Sequence, residues 1–585
     1  MCNPIKDSNS RGLTAGSGVD KAASTPRSSR WDSQRIRGFL YLFSSKLNQL
    51  TSNLVLCFLI PFLMVLIGRF VIFSDIPTPQ PLIEDEFSYL LAGDTFASFR
   101  MTNPMHAFWE HFESIHLIVK PSYMSKYPPM QGLILALGQL VFGSPWVAVV
   151  ISMAIFCGLL PWVFRAWTTV NWAMLGALLA TYKIGIVSYW TDSYWGGGAA
   201  AIGGALVLGS VKRLVEKSTS GMLAIFSLGS CILANSRPFE GLVFLLGCAG
   251  YVLAQWHGRY KEKLPLLAKN MRVSLLVIII PTLLLMGLYN DRVTGNLTEL
   301  PYTEYDKQYS IWTPFVWQQV PDNEPIYRHD FIRRAAVEWD GGIKQASRHY
   351  PMTVFLNDFI RNFQFYFGDS FYFILLFLVL FLIGDGTNLM RSIFFKQPNR
   401  AAMGILLFYC LISCLILDVV PHYTAPAAAL IYLAMTMALR TMSEYSYKKT
   451  EVGKIFCLTL SLFFIVSTAS LMSSNENRFL FPKKHFLEKR NRVLSLLNSQ
   501  PGQLLVFVHQ GKLNDPNDIW VYNQANIDAS KIVWANDMTP EKNQGLIDYY
   551  GNKRTVWHLN DDAKLTLAPY GNAKAKTLIS MANAP

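Results

Sequence analysis

Long apolar stretches alternate with polar segments along most of this chain. The apolar stretches lie near residues 54–73, 145–164, 172–189, 196–211, 221–235, 239–255, 273–290, 370–384, 402–418, 423–440 and 453–472. A helix of about 20 apolar residues crosses the hydrocarbon core of a bilayer, which is roughly 30 Å thick. The pattern therefore predicts a mainly α-helical, polytopic membrane protein with about eleven transmembrane helices.

The charges between these stretches predict how the helices are oriented. Residues 1–50 are polar, Ser-rich and basic, so we expect a disordered tail on the cytoplasmic side. Every second loop after this tail also carries Lys or Arg, as at Arg165 and Lys212. Positive charge concentrates in cytoplasmic loops. We therefore expect the N-terminus inside a bacterial inner membrane, and loops 74–144 and 291–369 on the outer, periplasmic side.

Composition excludes several function classes. Hydrophobic residues make up 51% of the chain and charged residues only 16%, whereas soluble domains average about 25% charged. The net charge of +13 belongs largely to the predicted cytoplasmic loops, and no basic-aromatic module predicts nucleic-acid binding. Seven of the eight cysteines lie in apolar runs, with neither disulfide nor metal-ligand spacing.

The first outer loop and the C-terminal segment predict further structure. Residues 86–99 and 130–142 are too short or too polar to span, so we expect helices that lie in the membrane interface. Loop 291–369 is rich in Tyr and Trp, which line sugar or lipid sites but also settle at any membrane interface.

Residues 476–585 predict a small periplasmic α/β domain. The segments QLLVFVH, IWVYN, KIVWAND and RTVWHL read as strands, and PEKNQGLIDYY reads as a helix. Because no phosphate loop, catalytic triad or metal-ligand motif occurs there, we expect a cap or a partner-binding module.

Two adjacent carboxylates, Asp85 and Glu86, follow the first apolar stretch. Acids at a membrane surface cost free energy and therefore usually mark function. A carboxylate can remove the proton of an acceptor hydroxyl, and repulsion between neighbours can raise one pKa toward the working range. The alternative for Glu86 is a helix N-terminal acid that the helix dipole favours.

Three segments carry a resemblance to a known family: PLIEDEFSYLLAGDTF, KYPPMQGLILALGQLVFG and YWTDSYWGGGAAAIGGALVLG. Over residues 50–475 the chain resembles the polytopic glycosyltransferases of the C superfamily, especially bacterial protein O-mannosyltransferases and lipid A aminoarabinose transferases. The resemblance implies a helical bundle that transfers a sugar, with inversion, from a polyprenyl-phosphate donor at the outer face. It also implies that Asp85, with Glu86 beside it, is the catalytic carboxylate, which acts as the general base.

The resemblance suggests residues that bind substrates. Lys126 precedes Pro128 and Pro129, where relatives have Lys-Pro-Pro without the intervening Tyr127. Arg237 stands where relatives often have Lys, and its planar fork suits phosphate; an ion pair with Glu240 is the alternative.

Three further positions match the relatives. Asp192 lies at the outer end of the third span, where relatives have an Asp at the start of the next span, and it could position the acceptor, orient a cation or merely cap the next helix. His422 and Tyr423 begin the tenth span and could contact phosphate, or His422 could only cap the bundle. A divalent metal ion held by Asp85 or Asp192 stays open.

The favoured hypothesis is a glycosyltransferase whose partners are a lipid-linked sugar donor and a lipid, polysaccharide or protein acceptor. A lipid-linked sugar flippase would need ionisable groups through the membrane midplane. A non-catalytic assembly subunit would tolerate replacement of Asp85.

Overall fold

The structure is a computed structural model that describes most of the chain after residue 51. The described ranges are 52–72, 78–195, 197–259, 272–311, 315–319, 324–370, 386–396, 398–446, 450–473, 484–512, 515–516, 518–562, 564–571 and 579–582. The predicted tail over residues 1–50 and nearly all of the predicted span at 370–384 lie outside them.

Helices dominate the described chain. In order they are α1 (Leu54–Ile67), α2 (Glu84–Ala97), α3 (Pro129–Phe142), α4 (Pro145–Phe164), α5 (Val170–Ala180), α6 (Gly198–Glu216), α7 (Ser220–Ala234), α8 (Pro238–Arg259), α9 (Ile280–Thr294), α10 (Pro301–Tyr309), α11 (Asp330–Arg333), α12 (Gly341–His349), α13 (Pro351–Phe367), α14 (Gly386–Phe395), α15 (Asn399–Ser413), α16 (Ala428–Ser443), α17 (Val452–Ser473), α18 (Lys484–Ser499) and α19 (Pro540–Tyr550). Helix α1 continues into a π-helical turn at Gly68–Ile72, and α5 continues into another at Thr181–Ile186.

The helices confirm the predicted polytopic membrane protein. Each predicted span within the described ranges coincides with an apolar helix, and 7 helices there are long enough to cross a bilayer. The helices at Val170–Ile186, Ser220–Ala234 and Asn399–Ser413 are apolar but shorter. The seven longer helices match the thickness of the bilayer core, because a helix of about 20 apolar residues spans it.

Small residues let the helices pack closely beside the segment that follows α15. A Cβ atom built on Gly204 of α6 would lie 1.9 Å from the backbone oxygen of Pro426. Pro426 belongs to a 3₁₀ turn, Pro421–Ala427, that leads into α16. Because small side chains permit backbones to approach each other in membrane bundles, Gly204 sets the position of this turn.

The predicted first outer loop, of which residues 78–144 are described, is folded around a small sheet. Helices α2 and α3 coincide with the predicted helices at 86–99 and 130–142. Between them lie β1 (Asn103–Pro104), β2 (Leu117–Ile118) and β3 (Ser122–Ser125), in the antiparallel order β1-β3-β2. Helix α3 begins at Pro129, whose fixed φ suits a first helical position.

The C-terminal segment forms the predicted small α/β domain. Its strands are β4 (Gln503–Gln510), β5 (Ile532–Asn536), β6 (Arg554–Asp561), β7 (Lys564–Pro569) and β8 (Ile579–Ala582). The sheet order is β5-β4-β6-β7-β8, in which β4 runs parallel to β5 and β6, and the last two pairings are antiparallel. The predicted helix PEKNQGLIDYY is α19.

The predicted strand IWVYN, at 519–523, is wrong. This segment lies beside the edge strand β5, but the Asn523 side chain donates to the Trp534 oxygen at 2.8 Å and accepts from the Trp534 nitrogen at 2.9 Å. The side-chain amide thus replaces a ladder of backbone bonds. Its apolar residues are buried all the same, with Trp520 fully enclosed.

The C-terminal domain shares its core with the first outer loop. The Ala525 N–H donates to Asp94 of α2 at 2.7 Å, and the Tyr123 hydroxyl donates to the Asn523 oxygen at 2.9 Å. The rings of Phe87 and Tyr522 lie 4.8 Å apart. The domain is therefore packed directly against the helix that carries Asp85.

We expect Gly204→Ala to lower the thermal stability of the detergent-solubilised protein, because the added methyl group meets a backbone oxygen that no rotamer change can move. Overpacking of this kind costs about 1–3 kcal/mol. Gly250→Ala is the matched control, since a Cβ there meets nothing within 4 Å and helix propensity favours Ala. Size-exclusion chromatography after heating measures both. Equal stability of the two variants would contradict the close packing.

Candidate functional site

Asp85 lies in the first turn of α2, together with Glu84 and Glu86. The N-terminus of a helix carries partial positive charge, which favours acids in this turn. Helix α2 is not one of the candidate membrane spans.

Two side chains that the sequence analysis did not identify contact Asp85. His116 Nδ1 lies 2.6 Å from Asp85 Oδ1, and the Tyr127 hydroxyl donates to the same oxygen. The Tyr127 oxygen also lies 3.0 Å from His116 Nδ1. Tyr127 is the residue that separates Lys126 from the two prolines, so the departure from the relatives' motif was the available signal. His116 had none.

Lys126 lies beside this group. Its Nζ is 4.6 Å from the centre of the Tyr305 ring and 5.3 Å from that of Tyr127. Burial lowers the pKa of Lys126, while Asp306, Asp85 and Asp340 oppose that change. Segments distant in sequence thus surround one lysine with acids.

The acids of the site differ in their charge. Burial raises the pKa of Asp85, but His116, Lys126 and the Tyr127 hydrogen bond lower it more, so Asp85 is ionised at neutral pH. Burial raises the pKa of Asp306 to about 6 and that of Asp340 to about 7, against the opposing charge of Lys126. Burial and Lys126 lower the pKa of His116 to about 4, so its imidazole is neutral.

Glu86 has a separate set of partners. Its carboxylate accepts the backbone N–H of Leu82 at 2.8 Å and that of Tyr194 at 2.9 Å. Burial raises its pKa to about 7, although these donors favour the ionised form. Glu86 therefore joins the start of α2 to the segment 189–195, and both of its carboxylate oxygens are engaged there.

Asp192 lies in that same segment and is part of a buried ion pair. Arg69 Nη2 is 2.6 Å from Asp192 Oδ1, and the Arg69 guanidinium lies 4.6 Å from the centre of the Trp146 ring. The alternative of a helix cap is wrong, because α6 begins at Gly198 and Gly197 occupies its N-cap position. The sequence analysis did not identify Arg69 as the partner of Asp192. A single arginine at the end of an apolar span indicates that a compensating acid lies nearby.

Arg237 lies against the 3₁₀ turn after α15. Its guanidinium is 4.4 Å from the centre of the Tyr423 ring. Arg237 and Glu240 are both described, and they form no ion pair within 4.0 Å, although their opposite charges attract each other. His422 is buried, and its Nδ1 lies 2.9 Å from the Tyr189 hydroxyl. Arg237 and Tyr423 therefore meet, and His422 connects to segment 189–195.

A potential metal site coincides with Asp85. Glu84, Asp85 and His116 each offer a ligand atom within 4.8 Å of the others. Two carboxylates and an imidazole are donors that suit divalent transition metals. In the described part of the chain this group does not include Asp192, whose carboxylate pairs with Arg69.

Comparisons with known proteins give likenesses in structure. No protein-family model and no curated protein matches this sequence. The apo form of ArnT from Cupriavidus metallidurans is 11% identical, with a TM-score of 0.46 over 85% of this chain and 92% of that one. The same protein bound to undecaprenyl phosphate is 10% identical, with a TM-score of 0.44 over the same shares, 85% and 92%.

A second solved protein is also similar. The Archaeoglobus fulgidus oligosaccharyltransferase in complex with Zn and sulfate is 12% identical, with a TM-score of 0.46 over 86% of this chain and 68% of that one. Because these TM-scores are below 0.5, any inference about function must come from the geometry of the site itself.

We expect Asp340→Asn to stabilise the protein at high pH. A carboxyl whose pKa is higher in the folded chain than in the unfolded chain adds stability at low pH, and this contribution is lost as pH rises through about 7. The variant carries no such charge, so its Tm should exceed that of the wild type at pH 8, by about 1–3 °C, and by less at pH 5.

Differential scanning fluorimetry in detergent measures this difference. Glu541→Gln, which replaces an exposed acid of α19, should give the same Tm difference at both pH values. A Tm difference for Asp340→Asn that does not grow between pH 5 and pH 8 would contradict the raised pKa.

Proposed function

We propose that this protein is a membrane glycosyltransferase that moves a sugar from a polyprenyl-phosphate donor to an acceptor hydroxyl. The observation that supports it most is spatial. An ionised carboxylate, Asp85, and two cations, Lys126 and Arg237, lie beside one cluster of tyrosines, although Arg237 comes from a different part of the chain.

Tyr89 connects the two halves of this site. Its ring stacks on that of Tyr127 at 4.4 Å, next to Asp85. Burial raises the pKa of the Tyr89 phenol, Arg237 lowers it and Asp85 raises it. Both charges therefore act on one ring, which is an arrangement that can hold a nucleophile and a phosphate leaving group together.

Asp85 is the proposed general base. Its Oδ1 is engaged by His116 and Tyr127, and among the described residues no hydrogen bond occupies Oδ2. Oδ2 can thus take the proton of the acceptor hydroxyl while the new glycosidic bond forms. Direct displacement at the anomeric carbon inverts its configuration.

The leaving lipid phosphate develops negative charge, which Lys126 and Arg237 would stabilise. Arg237 can offer two parallel N–H groups to phosphate oxygens. If Glu84, Asp85 and His116 hold a divalent ion, that ion would add positive charge beside the phosphate. His422 and Tyr423 lie on the Arg237 side and would shape the phosphate end of the site.

We propose that the site faces the periplasm. Its residues come from the first outer loop, segment 189–195, the α7–α8 turn and the turn after α15, all of which the charge pattern assigns to the outer side. The basic tail would then lie in the cytoplasm, and the C-terminal domain would cover the outer face. The membrane would be a bacterial inner membrane.

A lipid-linked sugar flippase is the second candidate, and one observation favours it. Lys183 is buried in the π-helical end of α5, within an apolar helix, and ionisable residues in membrane helices often line transport pathways. Transfer activity separates the two candidates, because a flippase leaves the sugar on its carrier.

We expect Asp85→Asn to reduce sugar transfer at least about 100-fold, because the amide cannot accept the proton. The assay uses purified protein in liposomes with labelled polyprenyl-phosphate sugars and candidate acceptors. Asp548→Asn, at an exposed position of α19, is the control and should retain wild-type rates. Undiminished transfer by a folded Asp85→Asn protein would contradict the base assignment and would direct attention to Asp192.

We expect Arg237→Gln and Lys126→Gln each to weaken donor binding about 10–100-fold, since each loses a charged contact to phosphate. The measurement is the KM for the lipid donor, with protection from thermal unfolding by polyprenyl phosphate as an equilibrium check. Arg400→Gln removes an exposed arginine on the predicted cytoplasmic side and should leave both values unchanged. If the two site variants also leave both values unchanged, the phosphate lies elsewhere.

A further inference from the structure

The backbone N–H and the backbone oxygen of His116 both form hydrogen bonds with other segments. Its backbone N–H donates to the Tyr305 hydroxyl at 3.1 Å. Its backbone oxygen accepts from the Ser88 hydroxyl at 2.7 Å and from the Lys126 N–H at 3.3 Å. The loop between Glu113 and β2 is thereby attached to α2, α10 and the end of β3.

The backbone of His116 is in the left-handed region, with φ of 63°. Such a conformation is unfavourable for most residues other than glycine, and Asn tolerates it better than most. Strained residues persist where the surroundings determine them, often at functional sites. The backbone bonds to Tyr305, Ser88 and Lys126 would form with any residue here, so they do not explain an imidazole.

The imidazole Nδ1 lies 2.6 Å from Oδ1 of Asp85 and 3.0 Å from the Tyr127 hydroxyl oxygen. Asp85 Oδ1 receives both the Tyr127 O–H and His116 Nδ1. An ionised carboxylate can only accept, so Nδ1 must carry the hydrogen. This contact selects one tautomer of the ring, with Nε2 unprotonated.

We propose that His116 is a positioning residue: its Nδ1–H, donated to Oδ1 of Asp85, fixes the carboxylate and leaves Oδ2 for the acceptor. This role rests on the proposed transferase function, but the contact itself does not. Asp85 touches the substrate, and His116 acts through Asp85. Loss of the Nδ1 donor frees the carboxylate to rotate, which lowers turnover more than it changes donor binding.

The first test requires no activity. We would label the histidine rings of the full-length protein with ¹⁵N in detergent micelles and assign His116 by the signal that is lost in His116→Asn. The expected result is a protonated Nδ1 and an unprotonated Nε2 at neutral pH, and Asp85→Asn should shift the Nδ1 signal. The opposite tautomer, or a signal that Asp85→Asn leaves unchanged, would overturn the proposal.

The second test compares three variants by their kinetics. His116→Asn places an amide nitrogen near the position of Nδ1 and tolerates the positive φ, whereas His116→Gly accepts the backbone but has no donor. His116→Gln has the same amide one bond further out. We expect kcat to fall about 10–100-fold in the Gly and Gln variants, with the donor KM unchanged.

The Asn variant should retain a kcat at least about tenfold above that of the Gly variant. Combining His116→Gly with Asp85→Asn should reduce kcat no further than Asp85→Asn alone, because both act through one carboxylate. Wild-type kcat in His116→Gly, or Asn and Gly variants that are equally slow while equally stable, would overturn the positioning role. If the wild-type protein transfers no sugar, the transferase function fails, and the ¹⁵N spectra alone decide the contact.

Discussion

Adjacent carboxylates at the start of α2, the half-buried Asp85 and the buried Glu86, impose the constraint on which the site depends. A buried charge without hydrogen bonds is too costly to keep, so each acid must find donors from other parts of the chain. Glu86 takes two backbone N–H groups, one of them from Tyr194. Asp85 takes His116 and Tyr127. Satisfying two neighbouring residues thus draws three distant segments to one helix end.

The same reasoning applies to the buried ion pair of Arg69 and Asp192. Arg69 ends the first span and would be costly in an apolar environment by itself. Asp192 compensates its charge, and the Trp146 ring covers the guanidinium. Because Trp146 Nε1 also donates to the Thr191 oxygen at 2.7 Å, segment 189–195 is attached to α1 and α4 as well as to α2. The charges that look functional in the sequence here also hold the segment in place.

The C-terminal domain extends this organisation outward. Helix α2 carries Asp85 at one end, and further along it Phe87 meets Tyr522 and Asp94 accepts from Ala525. The Arg490 guanidinium of α18 lies 4.8 Å from the centre of the Phe87 ring. The C-terminal domain therefore packs on the helix that carries the proposed base and does not stand apart from it.

The sequence by itself determined the membrane-spanning helices, the position of Asp85 after the first of them, the helix that starts at Pro129, and α19, because these depend on local apolar runs and on residues next to each other. It could not determine the partners of Asp85, since His116 and Tyr127 lie 31 and 42 residues away in sequence in loops without periodicity. It also predicted a strand at IWVYN, where a single side chain, Asn523, took over the edge of β5. Tertiary structure decided that Asp192 pairs with Arg69 and that Glu86 binds backbone N–H groups, because only the folded chain shows which donors reach each buried charge.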